Sequence, residues 1–288
     1  MTILEELAEK YEAIPYFDHR KMPELEHHFV LWLNLMGTQN IMMRSLPQGA
    51  NFIAKLLTIT EQVVKTVTAE EKPETEATEE VAEEEAEEEA EEEAILKVHP
   101  VTGGVLLYGP ERDPFLKAAR QVFGLLAIAN VAEDDMQQRF LVRGAIARGQ
   151  IIEGPKIGKE CFGQSERPDQ FDSIIFGPAI SQAYATARKA PPFGCVLHES
   201  ASETTVGYIK DSQSGEMQSE GIAGYPFWHW WATDGVSRRD NLVSALYKSI
   251  KYYLMYCENR PMTMGYPAEA IRRHRALFEE YFKSPSII

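Results

Sequence analysis

The first clear apolar run of the chain predicts a buried strand, and the segment after it predicts an amphipathic helix. The run FVLWLNLMG at 29–37 is short and aromatic-rich and ends in glycine, as buried strands often do. From 50 to 67, apolar residues recur at helical spacing. One face of that helix carries Phe52, Leu56, Ile59 and Val63.

The remaining pattern alternates short strands with helices. In ILKVHPVTGGVLLYG, at 95–109, two apolar segments around Pro100 and Gly103-Gly104 predict a hairpin. After it the pattern predicts a helix at 113–132, a strand at 140–152, a loop at 153–172, a strand turning into a helix at 173–190, a strand at 193–199, and helices at 239–258 and 267–283. This order predicts an α+β sandwich in one domain, with one sheet covered by helices on one side.

An aromatic cluster, YPFWHWW, lies at 225–231. Large aromatic side chains at this density are expected to build core or a subunit interface, and base stacking is the alternative.

The acidic charge of the chain is local. The 288 residues carry a net charge of −15, but the window from Glu70 to Glu93 holds 15 glutamates and one lysine and so contributes −14. Glutamates repeat there at i,i+4, which disfavours a helix, and there is almost nothing to bury. We expect 68–94 to be a solvated insertion, helical at most transiently. It serves either as a spacer that aids solubility or as a docking arm for a basic partner.

Composition excludes several classes of protein. With 44% hydrophobic residues the chain is globular, and no apolar run reaches the roughly 18 residues that a spanning helix needs. The acidic N-terminus lacks the apolar core of a signal peptide. Three separated cysteines, Cys161, Cys195 and Cys257, indicate neither a disulfide framework nor a zinc site. We therefore expect a cytoplasmic protein without a membrane partner.

No generic motif identifies a chemistry. Nucleic-acid binding is disfavoured because the basic residues form no block, and RRHR at 272–275 is expected to be a solvated helix face. His27 and His28 precede the predicted strand, where adjacent side chains point to opposite faces, so they are not expected to bind one metal ion as a pair. Asp134 and Asp135 follow a helix, where a solvated loop or a helix cap is the expected role.

Three groups of residues together resemble the class III nucleotidyl cyclase superfamily, particularly the stand-alone bacterial pyrimidine-cyclase antiviral type. They are the strand FVLWLNLMG, the hairpin VTGGVLLYGP and the run from the RGAIARG strand to the IIFGPAISQAYATAR helix. The positions that match the family pattern are Arg143, Gly144, Ile146 and Gly149, and then Phe176, Gly177, Pro178, Ala179, Ala183 and Tyr184. The resemblance implies a ferredoxin-like cyclase-type sandwich, with an antiparallel or mixed sheet and a C-terminal helical extension.

The resemblance also implies a domain organisation. The cyclase-like domain would span 29–200 and be interrupted by the insertion at 68–94. A helical segment at 1–28 would precede it. An irregular aromatic segment and helices at 201–288 would pack on the same domain.

In this family two aspartates hold two divalent ions against a nucleoside triphosphate. Here the position on the first strand is Asn34, and the hairpin position is Gly103 or Gly104. A neutral amide and a missing side chain do not replace carboxylates as ligands of Mg²⁺. Asp18 and Asp113 are the other carboxylates considered, and neither lies at a matching position.

Parts of a nucleotide pocket are still expected. The binding candidates are Asn34, Arg143, Gly144, Ser181 and Arg188. Gly144 would let backbone approach a ligand or would serve strand packing, and Arg188 would reach the pocket or only decorate a helix end. Arg148, an odd number of residues from Arg143, is expected to point to the opposite face. Ser181 and Ala185 stand where many cyclases have asparagine and arginine.

We therefore expect a catalytically degenerate cyclase-like protein that acts as a nucleotide-binding, regulatory or partner module. The resemblance implies a homodimer or a pairing with a related subunit. No cofactor is expected. The alternatives are an active cyclase, which would need Mg²⁺ or Mn²⁺ and could act in antiviral defence, and a structural or interaction protein that uses the acidic arm.

Overall fold

The computed structural model describes residues 25–71, 95–161, 173–201, 225–231 and 237–282. The predicted N-terminal helical segment up to 24, residues 72–94 of the insertion, and Asp18 lie outside these ranges. In chain order the described part contains β1 (Glu26–Leu35), α1 (Thr38–Arg44), α2 (Leu46–Glu71), β2 (Lys97–Val101), β3 (Gly104–Gly109), α3 (Arg112–Val131), β4 (Val142–Glu153), α4 (Gly154–Cys161), β5 (Ile175–Phe176), α5 (Pro178–Ala187), β6 (Cys195–Leu197), β7 (Phe227–Trp228), α6 (Ser237–Asn259), a 3₁₀ turn (Pro261–Thr263) and α7 (Ala268–Tyr281).

The sheet has a ferredoxin-like centre. Its strand order is β2-β3-β1-β4-β6-β7, and β2, β3, β1 and β4 pair antiparallel. β6 adds parallel to β4, β7 adds antiparallel to β6, and the short β5 pairs with the end of β4. A strand, a helix, a hairpin, a helix and a strand in this arrangement form the ferredoxin-like sandwich. The predicted α+β fold class with a C-terminal helical extension is confirmed. The prediction that helices cover only one side of the sheet was wrong, because α5 packs on the face opposite the main core.

The alternation along β1 divides the sheet into two faces. The core face carries Phe29, Leu31, Leu33 and Leu35, all buried in the main core. The opposite face, which we call the α5 face because α5 packs on it, carries His28, Val30, Trp32 and Asn34. The helices α2, α3, α6 and α7 contribute to the core on the first face. Within the described residues, none of the helices combines the length and hydropathy that a membrane span requires.

The glycine and proline that begin α5 explain the sequence FGPA at 176–179. Gly177 has a φ of 151°, and a Cβ there would lie 2.4 Å from the carbonyl oxygen of Gln150. Pro178 then begins the helix, where its missing N–H costs nothing. The buried Ala179 and Ala183 let α5 lie close against β1 and β4.

The aromatic cluster at 225–231 builds core, as predicted. Trp228 and Trp230 are 0% and 2% exposed. The hydroxyl of Tyr281 in α7 accepts a hydrogen bond from the backbone N–H of Cys195 at 3.2 Å and donates one to the carbonyl of Trp228 at 2.6 Å. The C-terminal helix is thereby bonded to the last two strands of the sheet.

Three predicted boundaries were wrong. The predicted loop at 153–172 contains α4, because Gly154 and Pro155 occupy a first helical turn, where proline is tolerated, and Ile157 is buried. Residues 68–71, assigned to the insertion, are the last turn of α2. β1 begins at Glu26 rather than at 29, since pairing with β4 extends it in that direction.

Candidate functional site

Strand register places three predicted site positions side by side. Asn34 of β1 lies opposite Gly104 of β3 and opposite Arg143 of β4. Directly opposed residues of antiparallel strands point to the same face, so Asn34 and Arg143 share the α5 face. The strand register therefore makes Asn34, Gly104 and Arg143 direct neighbours in the sheet.

The hairpin needs glycine at both matching positions. A Cβ on Gly104 would lie 2.4 Å from the carbonyl oxygen of Leu33, which is closer than any real contact. Gly103 has a φ of 74°, and a Cβ there would meet the side chain of Thr38 at 3.3 Å. The carbonyl of Gly103 also accepts a hydrogen bond from the N–H of Leu35 at 2.9 Å. Neither position has room for a carboxylate without rearrangement of the turn.

The residues at this place do not fit the pair of divalent ions that the family resemblance implies. Asn34 offers an uncharged amide, and Gly103 and Gly104 offer no side chain. Within the described ranges, no group of three or more histidine, cysteine, aspartate or glutamate residues could hold a metal ion. Asp113 lies four residues after the far end of β3 from Gly104, and its carboxylate pairs with Arg112 at 2.8 Å.

Arg143 and Arg188 meet beside Asn34. The Nη1 of Arg143 donates to the backbone carbonyl of Arg188 at 2.9 Å, which ties β4 to the end of α5. Burial, together with the charge of Arg188, lowers the pKa of Arg143. The side chain of Arg188 is exposed. The structure therefore brings three of the five predicted binding candidates together.

The other candidates lie apart from this group. A Cβ on Gly144 would meet Leu31 at 3.0 Å and Phe123 at 3.1 Å, so Gly144 faces the core and permits strand–helix packing. Ser181 is exposed nearly two helical turns before Arg188. Arg148 points to the core face, as expected, and its guanidinium lies 5.4 Å from the centre of the Phe29 ring.

An open aromatic cavity lies on the α5 face, next to Trp32 of β1. It has a volume of about 700 Å³ and is lined by Trp32, Pro100, Val101, Thr102 and Tyr184. The Trp32 and Tyr184 rings meet edge to face, with centroids 4.8 Å apart. Sequence reasoning missed this cavity. The available signal was that Trp32 lies two residues before Asn34 in a strand and so shares its face.

The connection between α6 and α7 covers the loop that follows β1. The N–H of Gly37 donates to the hydroxyl of Tyr266 at 3.1 Å. Asn40 and Arg44 of α1 donate to the carbonyls of Gly265 and Thr263, both at 2.8 Å. The backbone at the end of β1 is thus already bonded to the C-terminal part of the chain. No sequence pattern indicated this contact.

His274 of α7 also reaches this region. Its ring lies 5.6 Å from the ring of Tyr266, centre to centre. Burial lowers the pKa of His274 to about 4, and the positive charges of Arg143 and Arg273 act in the same direction. In the sequence, His274 was considered only as part of the RRHR run.

A second polar cluster lies at the other end of the α5 face. The carboxylate of Glu153 accepts hydrogen bonds from Lys97 at 3.0 Å and from Tyr108 at 2.9 Å. Burial opposes ionisation of Glu153, but these bonds and the charges of Lys97 and Lys156 bring its pKa below the ordinary value. Because its charges are matched, the cluster fastens β4 to β2 and β3 and leaves no group poised for a ligand.

Other residues singled out in the sequence have structural roles. The arginines of 272–275 pair with acids, with Arg275 3.0 Å from Glu258. The prediction of a solvated helix face holds for Arg272 and Arg273, which are exposed, but was wrong for His274, whose Nδ1 is buried. Asp135 accepts a hydrogen bond from the N–H of Gln137 at 2.8 Å in a loop. His28 is buried against the Tyr108 ring, whereas His27 is exposed.

No protein-family model matches the chain, and no curated protein matches it. Among solved structures, the chain is similar to the crystal structure of an adenylate/guanylate cyclase/hydrolase from Silicibacter pomeroyi. The identity is 14% and the TM-score is 0.42, over 71% of this chain and 95% of that chain. A likeness this distant does not identify a function.

Proposed function

We propose that this protein is a catalytically inactive, cyclase-like module that binds a nucleotide on the α5 face. The observation that carries the proposal is the register of Asn34 with Gly104, where the family pattern requires two carboxylates. The backbone of Leu33 leaves no room for a side chain at Gly104, so this position cannot supply the second carboxylate.

The aromatic cavity supports base binding. Trp32 and Tyr184 present apolar rings to an open cavity, and Tyr184 is 47% exposed. Stacking of a base on an aromatic ring contributes about 1–3 kcal/mol. Arg143 shares the α5 face with Trp32, and Arg188 directly follows the helix that carries Tyr184, so the two arginines are candidates to bind the other end of the same ligand.

Absence of catalysis is tested with substrate. The full-length protein is incubated with each of the four ribonucleoside triphosphates and Mn²⁺, and the products are separated by chromatography. We expect no cyclic product. Formation of a cyclic nucleotide above the level of a heat-inactivated control would overturn the inactive assignment and favour an active cyclase.

Nucleotide binding is tested by thermal shift and calorimetry. We expect at least one nucleotide to raise Tm, because a ligand that binds only the folded state stabilises it. Tyr184→Ala should weaken the affinity by roughly 5- to 150-fold, the equivalent of one lost stacking contact. Tyr252→Ala is the matched control, since Tyr252 is also exposed but lies on α6. Equal affinities of the two variants, or no shift with any nucleotide, would contradict the proposal.

A further inference from the structure

Three basic residues from three elements lie near the end of β1. Arg143 comes from β4, Arg188 follows α5, and His274 comes from α7. Arg143 lies opposite Asn34 and bonds to the backbone carbonyl of Arg188. The His274 ring lies 5.6 Å from the ring of Tyr266, whose hydroxyl accepts a hydrogen bond from Gly37, three residues after Asn34. These groups are distant in sequence, so only the fold brings them together.

The positive charge of this cluster is uncompensated within the described part of the chain. Arg143 and Arg188 form no ion pair with a carboxylate there. The Nε of Arg143 and the Nδ1 of His274 are buried and have no hydrogen-bond partner among the described residues. Desolvated donors without partners are costly, and an anion would satisfy them.

We propose that Arg143, Arg188 and His274 form a phosphate site that holds the phosphate of the bound nucleotide. This inference deepens the proposed function and rests on it for the nature of the ligand. Arginine supplies several donors that suit phosphate oxygens, and a histidine that gains a proton supplies one more. A phosphate there would accept from the Nε of Arg143 and from the Arg188 guanidinium.

The spacing between the aromatic cavity and the basic cluster suits one nucleotide. Trp32 precedes Asn34, the partner of Arg143, by two strand residues, or about 6.8 Å. Tyr184 precedes Arg188 by four residues, or about 6 Å along a helix. Both elements thus separate the ring from the cation by a similar distance, which a ribose would bridge.

The experiment separates the phosphate from the base. Affinities are measured by calorimetry for the four nucleosides, their 5′-monophosphates and inorganic pyrophosphate. We expect a monophosphate to bind at least about tenfold more tightly than its nucleoside, as for hydrogen bonds to a charged group. Arg188→Ala should remove that advantage. Its backbone carbonyl, and so its bond to Arg143, is retained.

Lys189→Ala is the matched control, because Lys189 is the adjacent exposed cation and its Nζ lies 4.1 Å from the centre of the Tyr225 ring. It should bind like the wild type. A second readout is the pKa of His274 by NMR, which should rise when the monophosphate binds. If Arg188 had only a structural role and no phosphate were bound beside it, the pKa of His274 would not change when the monophosphate is added.

Each outcome decides between the two proposals. If nucleosides bind as tightly as monophosphates, the phosphate site is wrong and the nucleotide pocket stands. If pyrophosphate binding depends on Arg188, but nucleosides do not bind and the affinity for monophosphates does not depend on the base, the phosphate site stands and the proposed function fails. Binding of none of these probes overturns both.

Discussion

At the scale of single residues, a buried histidine makes stability depend on pH. His229 is 4% exposed and lies between the rings of Trp231 and Tyr281, each 5.0 Å away between centres. Burial lowers its pKa to about 4, below the ordinary value of 6.5. The unfolded chain therefore binds a proton more readily than the folded chain between these values. The stability that the neutral ring provides is fully present above pH 6.5 and is lost as pH falls towards 4.

We expect the free energy of unfolding to fall by about 2 kcal/mol between pH 7.5 and pH 5 through His229 alone. Urea denaturation at both pH values measures it. His229→Phe should remove most of that difference, because phenylalanine does not titrate. His27→Gln, at an exposed strand position, should keep it. His274, whose pKa is also lowered to about 4, should contribute equally to both proteins. A pH dependence as large in His229→Phe as in the wild type would assign the His229 effect to other groups.

At the scale of elements, the β2–β3 hairpin is fixed by close backbone approach. Gly104 lies against the carbonyl of Leu33, so the turn and β1 pack at a distance that only glycine permits. The same contact that removes the second carboxylate position also sets the register of Asn34.

Gly104→Ala should lower the free energy of unfolding by about 1–3 kcal/mol, because the added methyl group forces β1 and β3 apart. Gly124→Ala is the control. Gly124 lies inside α3 with no atom within 4 Å of its position for Cβ, so alanine should stabilise the helix by up to about 1 kcal/mol. Chemical denaturation measures both variants. Equal stability of Gly104→Ala and the wild type would show that the hairpin can shift.

At the scale of the whole molecule, the C-terminal helices and the sheet share one core. Phe123 of α3 stacks on Trp230 with ring centres 5.6 Å apart, and Tyr281 of α7 bonds to β6 and β7. The α6–α7 connection also bonds to the loop after β1. A substitution in α7 should therefore change the stability of the entire domain.

Tyr281→Phe removes one donor and one acceptor from buried partners, and we expect it to cost about 1–3 kcal/mol. Circular dichroism and tryptophan fluorescence should report the same transition midpoint, since the core unfolds as one unit. Tyr252→Phe, at an exposed site of α6, should change stability by less than about 0.5 kcal/mol. Separate midpoints for the two probes would mean that the C-terminal extension unfolds independently.

The sequence by itself determined most elements and the fold class, because periodicity and turn residues are local properties. The alternation in β1, the helical face of α2 and the glycines of the hairpin were all readable, as were the basic candidates Arg143 and Arg188. A predicted boundary was wrong at Gly154, where a glycine-proline pair begins a helix rather than a loop.

Only the tertiary structure decided which of these residues meet. The direction that Gly144 faces depended on what packs against β4. Leu31 and Phe123 pack there, so Gly144 faces the core and not a ligand. His274 and Tyr266 had no local signal, since they reach the site from more than 100 residues away. Local pattern fixes the identity and the period of an element. The composition of a site follows from long-range packing, which one sequence does not encode in any local pattern.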